Sequence, residues 1–203
     1  MALSGCIRHQ ENFFQAKNQK KIIALQPFGD YNMNQLNFIS KEISSFYNRK
    51  VIILKPIDIQ ATFRLINDVE LYSADSILNL LSGVLNDDII EVVGLTHKNI
   101  YILNQETNKT KDPLFDNSVQ DIFGFGDFPG NYSVISDYLF KTKDTIIFKH
   151  RLRTVIFHEM GHNLGLDHCM VKQCIMSGKN GKISFLDKCG NDYCHHCKRK
   201  LQN

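Results

Sequence analysis

The chain has no apolar run near the eighteen or so residues that a membrane-spanning helix needs; its longest candidates, such as Val51–Leu54, are the size of a strand. A transmembrane helix is therefore excluded. Excess charge is also scarce: 24 Lys and Arg against 21 Asp and Glu leave a formal charge of +3, and no basic block is longer than Lys198–Lys200. So weak an imbalance gives no case for nucleic acid as a partner. No internal repeat recurs, and Gly124, Gly126 and Gly130 fit neither the dinucleotide fingerprint nor the Walker pattern. Cysteine is nearly missing from the first 168 residues, where only Cys6 occurs. LSGC at Leu3–Cys6 has the form of a lipoprotein processing site, but no apolar signal region precedes it. The expectation is a cytoplasmic protein, with lipid anchoring through Cys6 as the alternative if a signal segment lies upstream.

What is present is enough for a folded domain. The 203 residues can bury a core of their own, and 43% hydrophobic with 22% charged residues is ordinary for a globular chain. Leu36, Ile39, Ile43, Phe46 and Tyr47 recur at helical spacing and predict a helix over 34–49. Val51–Leu54 comes next as a buried strand closed by Pro56. Ser73 is the N-cap of a second helix with Ile77, Leu78, Leu81, Val84 and Leu85 on its inner face. Ile89–Leu95 and Ile100–Leu103 read as strands, with Thr96–Asn99 between them as a hairpin loop. The polar run Asn104–Asp112 is a solvated loop, and Asp121–Ser136 reads as two short strands around a turn at Pro129-Gly130. Strands mixed with helices make the class α+β or α/β, here as one domain with the monomer as the expected state.

Chemistry is concentrated near the end. Leu152, Val155, Ile156, Met160 and Leu164 predict a helix over 151–164. On it His158 and His162 lie four residues apart, one turn, so both imidazoles face one side and can grip one cation. Glu159 lies about 100° round the helix, within reach of a water at that cation without being a ligand, which is what a general base needs. Gly165 supplies a helix stop, since glycine adopts a left-handed backbone with least strain, and His168 can then swing back as third ligand. Three neutral nitrogens leave a fourth tetrahedral position open, the arrangement of a catalytic zinc. Chance is a poor rival: this chain's residue frequencies give about 10⁻⁵ expected occurrences of the full HExxHxxGxxH pattern. Five of the six cysteines, Cys169, Cys174, Cys189, Cys194 and Cys197, fall in the last 35 residues and include a C-x2-C pair, which reads as metal binding rather than disulfide formation.

The motif and the cysteines beyond it resemble the archaemetzincins, a branch of the metzincin metallopeptidases. Cys169 stands directly after the third histidine, and Cys174, Met176, Cys194 and Cys197 occupy the remaining fixed positions of that family's signature. The resemblance implies a metzincin-type zincin fold: a twisted mixed sheet with long helices above a substrate cleft and a small, zinc-braced lobe below. It divides the single domain, 1–203, into an N-terminal lobe, 1–165, and a C-terminal lobe, 166–203. It implies that Met176 is an apolar floor beneath the histidines, and that the strand within Asn131–Ser136 forms the cleft's upper rim and pairs with an extended peptide.

The four signature cysteines then make a structural site, four thiolates around a second zinc, so the expectation is two zinc ions per chain. Cys189 is the alternative to one of the four, or a disulfide partner for Cys6; the C-x2-C pair favours Cys194 and Cys197. Some metzincins carry a tyrosine two residues after the turn methionine, where this chain has Gly178. His9, His97 and His150 are expected as surface or core residues, and His195 and His196 as exposed. The expected activity is hydrolysis of peptide bonds by a zinc-activated water. The rivals are a zinc hydrolase acting on another amide, or a non-catalytic zinc protein whose cysteine tail binds nucleic acid or a partner with Lys198–Lys200 as its basic contact, which leaves Glu159, Gly165 and the open coordination position without a use.

Overall fold

A computed structural model describes residues 21–103, 119–178 and 182–201. Strand β1 (Ile22–Phe28) is buried along nearly its whole length, as a strand flanked on both edges in a parallel sheet must be. Its neighbours are β2 (Val51–Ile53) and β5 (Ile89–Thr96), both parallel to it, with Ile23 opposite Val51 on one side and Glu91 on the other. β9 (Tyr132–Ser136) continues the sheet parallel to β5, and β8 (Gly124–Gly126) closes it antiparallel, in the order β2-β1-β5-β9-β8. A second, four-stranded mixed sheet runs β3-β4-β6-β7, from β3 (Phe63–Ile66), β4 (Val69–Ser73), β6 (Asn99–Leu103) and β7 (Val119–Ile122). The class is mixed α/β.

Helix α1 (Met33–Tyr47) starts where the Asn32 side chain accepts from the Asn34 N–H at 2.8 Å, and ends at Asn48 in the left-handed region. It buries Leu36, Ile39, Ile43 and Tyr47, the stripe that the spacing predicts. α2 (Ala74–Ser82) is capped by Ser73 and buries Ile77, Leu78 and Leu81. Val84 and Leu85 fall in the turn beyond its Gly83 cap, half-buried rather than on a helical face. α3 (Thr145–Asn163) begins six residues before the predicted start, because Asp144 caps it by accepting from the amides of Ile146 and Ile147. Ile146 there is 80% exposed, so the first turns carry no inward apolar stripe for periodicity to detect. The cysteine-rich tail holds two short helices, α4 (Ile183–Leu186) and α5 (His195–Lys200).

Three strand expectations need correction. Thr96–Asn99 is not a hairpin loop: β5 and β6 lie in different sheets, since β1 and β9 already fill both edges of β5. β2 is half-buried, not buried, because it is an edge strand. β9 is not a cleft rim either; β5 and β8 occupy its two edges, and β8 is the edge that faces the cleft. The loop expected at Asn104–Asp112 lies outside the described residues.

Two buried clusters sandwich the larger sheet. One joins Leu25, Leu36, Ile39 and Val93 to Val155, Phe157 and Met160 of α3, and extends past Gly165 to Leu166, Ile175, Met176 and Tyr193. The other joins α2 to the second sheet through Ile77, Leu81, Val92, Ile100 and Val134. At about 1.5–3 kcal/mol for each large apolar side chain removed from water, the first cluster is what holds α3 in place over the sheet. No helix among the described residues is long and apolar enough to cross a membrane.

Candidate metal centres and cleft

The last two turns of α3 present His158 and His162 on one side, with their Nε2 atoms 3.1 Å apart. His158 Nδ1–H donates to the Ile175 carbonyl and His162 Nδ1–H to the Leu166 carbonyl, both at 2.8 Å. Those bonds fix the tautomer and aim both Nε2 lone pairs at the same point. Burial, aided by the crowding of like rings, holds His158 down to about 4 and lowers His162 as well, so both imidazoles are neutral, the form that binds a metal.

The chain then turns at Gly165, whose φ of +83° is the left-handed stop, and the Leu166 N–H returns to the Gly161 carbonyl at 2.9 Å. That brings the exposed His168 round to its partners: its ring centroid lies 5.2 Å from His158 and 4.9 Å from His162, and a nitrogen of each ring falls within 4.8 Å of the others. Below them Met176 is fully buried. A methyl at Gly161 would lie 2.4 Å from the Met176 sulfur, so a glycine in mid-helix is the condition for this close packing.

Glu159 lies against β8 and lines the same cleft as the three histidines. Burial pushes its carboxyl up to about 8, against a hydrogen bond from the Gly126 backbone N–H, which lowers it. The cleft above holds about 490 Å³ and runs between Gly124, Gly126 and Phe128 on one wall and Ile175, Gly178 and Phe185 on the other. Phe128 sets its ring edge-to-face on His162 at 5.8 Å. Gly178, at the position where a tyrosine stands in some metzincins, has a φ of +111° and lines the cleft with backbone alone.

The four cysteines converge behind the third histidine. Cys169 Sγ lies 3.6 Å from Cys194 Sγ, and Cys174 Sγ 3.7 Å from Cys197 Sγ. A tetrahedron of sulfurs about 2.3 Å from a zinc ion has edges of about 3.8 Å, so the spacing fits. Backbone N–H groups of Val171 and Cys194 donate to the Cys169 and Cys174 sulfurs. Burial pushes Cys174 up to about 11 and Cys197 higher still, whereas in Cys194 burial is outweighed by hydrogen bonds from the Cys197 amide and neighbouring thiols, which bring it to about 7. A divalent cation is the natural partner for so crowded a thiol set. The two centres share backbone: the Cys169 N–H donates to the Met176 carbonyl at 2.8 Å.

Cys189 lies apart from the four, with its sulfur 3.5 Å from the Ser177 hydroxyl; Cys6 and His9 lie outside the described residues. His97 is held by Asp137 at 2.8 Å and stacks on Tyr31, His150 bonds the Leu186 carbonyl, and His195 and His196 are exposed. Periodicity does not find the partners of the histidine-bearing helix. Asn163 Nδ2 donates to Glu91 of β5, and Tyr193 OH donates to the Phe157 carbonyl and pairs with Tyr47 OH. No spacing rule links residues 72 or 146 positions apart in sequence.

An HExxH helix resting on a mixed sheet, with three convergent imidazoles, a buried glutamate and an open cleft, defines a zinc metallopeptidase. The family model for "Peptidase family M54" matches residues 26–203, and the chain belongs to that family, the archaemetzincins. Archaemetzincin from Methanocaldococcus jannaschii is 29% identical over 187 residues, covering 89% of this chain and 93% of that protein. Archaemetzincin from Haloarcula marismortui is 29% identical, covering 88% and 98%. Among solved structures, the Methanopyrus kandleri archaemetzincin superposes with a TM-score of 0.70 at 21% identity, covering 92% of this chain and 96% of that one. The Archaeoglobus fulgidus archaemetzincin, complexed with malonate, gives 0.66 at 24% identity, covering 88% and 99%. At those identities the solved structures speak to the fold alone.

Proposed function

We propose that the chain hydrolyses peptide bonds at a zinc held by His158, His162 and His168, with Glu159 as general base, and that Cys169, Cys174, Cys194 and Cys197 hold a second, structural zinc. A zinc ion in the first site supplies Lewis acidity, acidifying a water and polarising an amide carbonyl. The protein's own groups do the rest. Glu159, one residue from His158 and desolvated against β8, takes the proton from the attacking water and delivers it to the leaving amine. The Ile175 and Leu166 carbonyls keep two ligand rings turned toward the site. The apolar walls at Phe128, Ile175 and Phe185 exclude bulk water and receive substrate side chains.

The reading divides the domain at Gly165 into lobes 1–165 and 166–203, and the buried cluster that crosses this point supports one domain rather than two. Free cysteines at all five described positions suit a cytoplasmic, reducing setting. The observation that carries the function is the convergence of the three imidazoles beside a buried Glu159. Cleavage of a complex peptide library, read by mass spectrometry, tests it. Zinc-loaded wild-type protein is expected to cut, and Glu159→Ala, with its zinc retained, to cut roughly 10²–10⁴ times more slowly. Equal cleavage by the two proteins would end the assignment of Glu159.

A further inference from the structure

The HExxHxxGxxH motif gives no role to the glycines of β8, yet both lie close against Glu159. β8 meets β9 through alternate residues: the Asp127 N–H donates to the Tyr132 carbonyl at 3.1 Å and the Ser136 N–H to the Phe123 carbonyl at 2.8 Å. By the two-residue period of a strand, the polar backbone groups of Gly124 and Gly126 point away from β9, along the free edge. The Gly126 N–H is thereby turned from β9 and available to the Glu159 carboxylate, whose pKa it lowers against burial.

The same two residues have no room for a side chain. A methyl at Gly124 would stand 2.7 Å from Glu159 Cγ, 2.9 Å from its Oε1 and 2.8 Å from Val155 Cγ1. One at Gly126 would stand 2.8 Å from the Glu159 carbonyl oxygen and 2.8 Å from Asn163 Oδ1. Glycine weakens a strand and marks a close approach of backbone to something else. At Gly124 the something else is the side chain of Glu159; at Gly126 it is the Glu159 backbone and the Asn163 side chain.

We infer that Gly124 and Gly126 are positioning residues for the reaction: the bare edge of β8 is a seat that fixes the rotamer of Glu159, with the Gly126 N–H as its anchoring donor. This rests on the reading of Glu159 as the base. Neither glycine touches substrate in this role; each acts through the carboxylate. Any side chain at 124 swings Glu159 aside, and a misplacement of about 1 Å costs roughly a hundredfold in rate.

Two measurements on the zinc-loaded protein test the seat. The first needs no activity: amide hydrogen exchange at Gly126 is expected to quicken roughly tenfold in Glu159→Ala, while Phe125 and Asp127, paired to β9, stay protected. Unchanged exchange at Gly126 overturns the anchoring contact. The second is a double-mutant cycle with a quenched fluorescent peptide built on a site that the wild-type protein cuts in the library. Gly124→Ala, whose methyl meets only side-chain atoms, is expected to keep zinc, fold and KM while kcat falls roughly a hundredfold, and to cost almost nothing more in a Glu159→Gln background. No loss of kcat in Gly124→Ala, or the same loss in both backgrounds, overturns the inference. Full activity of Glu159→Gln alone defeats the base assignment itself, a result separate from either. Gly126→Ala, whose methyl meets backbone, is the harsher variant and serves as corroboration through the same cycle.

Discussion

At the scale of single residues, the ligand-bearing helix rests on groups far from it in the chain, Glu91 and Tyr47 among them. His158, Glu159, His162 and His168 announce themselves because one helical turn and one glycine stop are short-range geometry that spacing encodes. Glu91 does not. It lies buried on β5, and desolvation pushes its carboxyl up to about 8 despite the hydrogen bond from Asn163. Nothing in IIEVVGLT marks the one charged residue of a buried strand as the partner of the helix that carries the ligands. The shift has a sign. Below the ordinary carboxylate pKa both folded and unfolded chains are protonated; as pH rises the unfolded chain ionises first, so the fold loses stability progressively until about 8. Thermal unfolding of wild type against Glu91→Gln checks this. The wild-type protein is expected to lose several kcal/mol relative to the variant between about pH 4.5 and 8, and a constant difference across that range would refute it.

At the scale of elements, periodicity worked where one face meets a core and failed where partners decide. α1 and the centre of α2 match their apolar stripes. The Thr96–Asn99 connection defeated local reading because a short link between two strands looks the same whether they pair or part; β5's occupied edges decide, and those are set by β1 and β9, far off in sequence. The segment after α3 is the reverse case. It has little periodic structure, yet its cysteine spacing was readable because ligand spacing for one metal is short-range geometry. Cys194→Ser and Cys197→Ser are each expected to lower bound zinc from about two to about one per chain and to destabilise the fold, with Cys189→Ser leaving the zinc count unchanged. Metal analysis by plasma mass spectrometry decides it, and equal loss from Cys189→Ser would reassign the ligand set.

At the scale of the whole molecule, the two centres differ in what they hold up. The histidine centre sits on a helix anchored by the main buried cluster, and its third ligand is exposed. The cysteine centre joins the 169–178 segment to α5 at the outer end of that cluster, through Cys169–Cys194 and Cys174–Cys197. A strong chelator is therefore expected to abolish cleavage first, reversibly on adding zinc, with circular dichroism unchanged. Loss of the second ion is expected later, together with proteolytic sensitivity confined to residues beyond 166. Simultaneous loss of both ions and of all structure would show that the centres are not independent.

The order of the parts along the chain carries one more consequence. Every strand of both sheets ends by Ser136, and the first of the seven candidate ligands is His158. A ribosome releases the chain in that direction, so the sheets have all their residues before any ligand is made, and domains generally begin to fold as they emerge. On the proposed assignment, zinc capture is the closing event of biogenesis, and a cell short of zinc would accumulate a chain with its scaffold formed and its cleft floor loose, a form that quality-control proteases can recognise and remove.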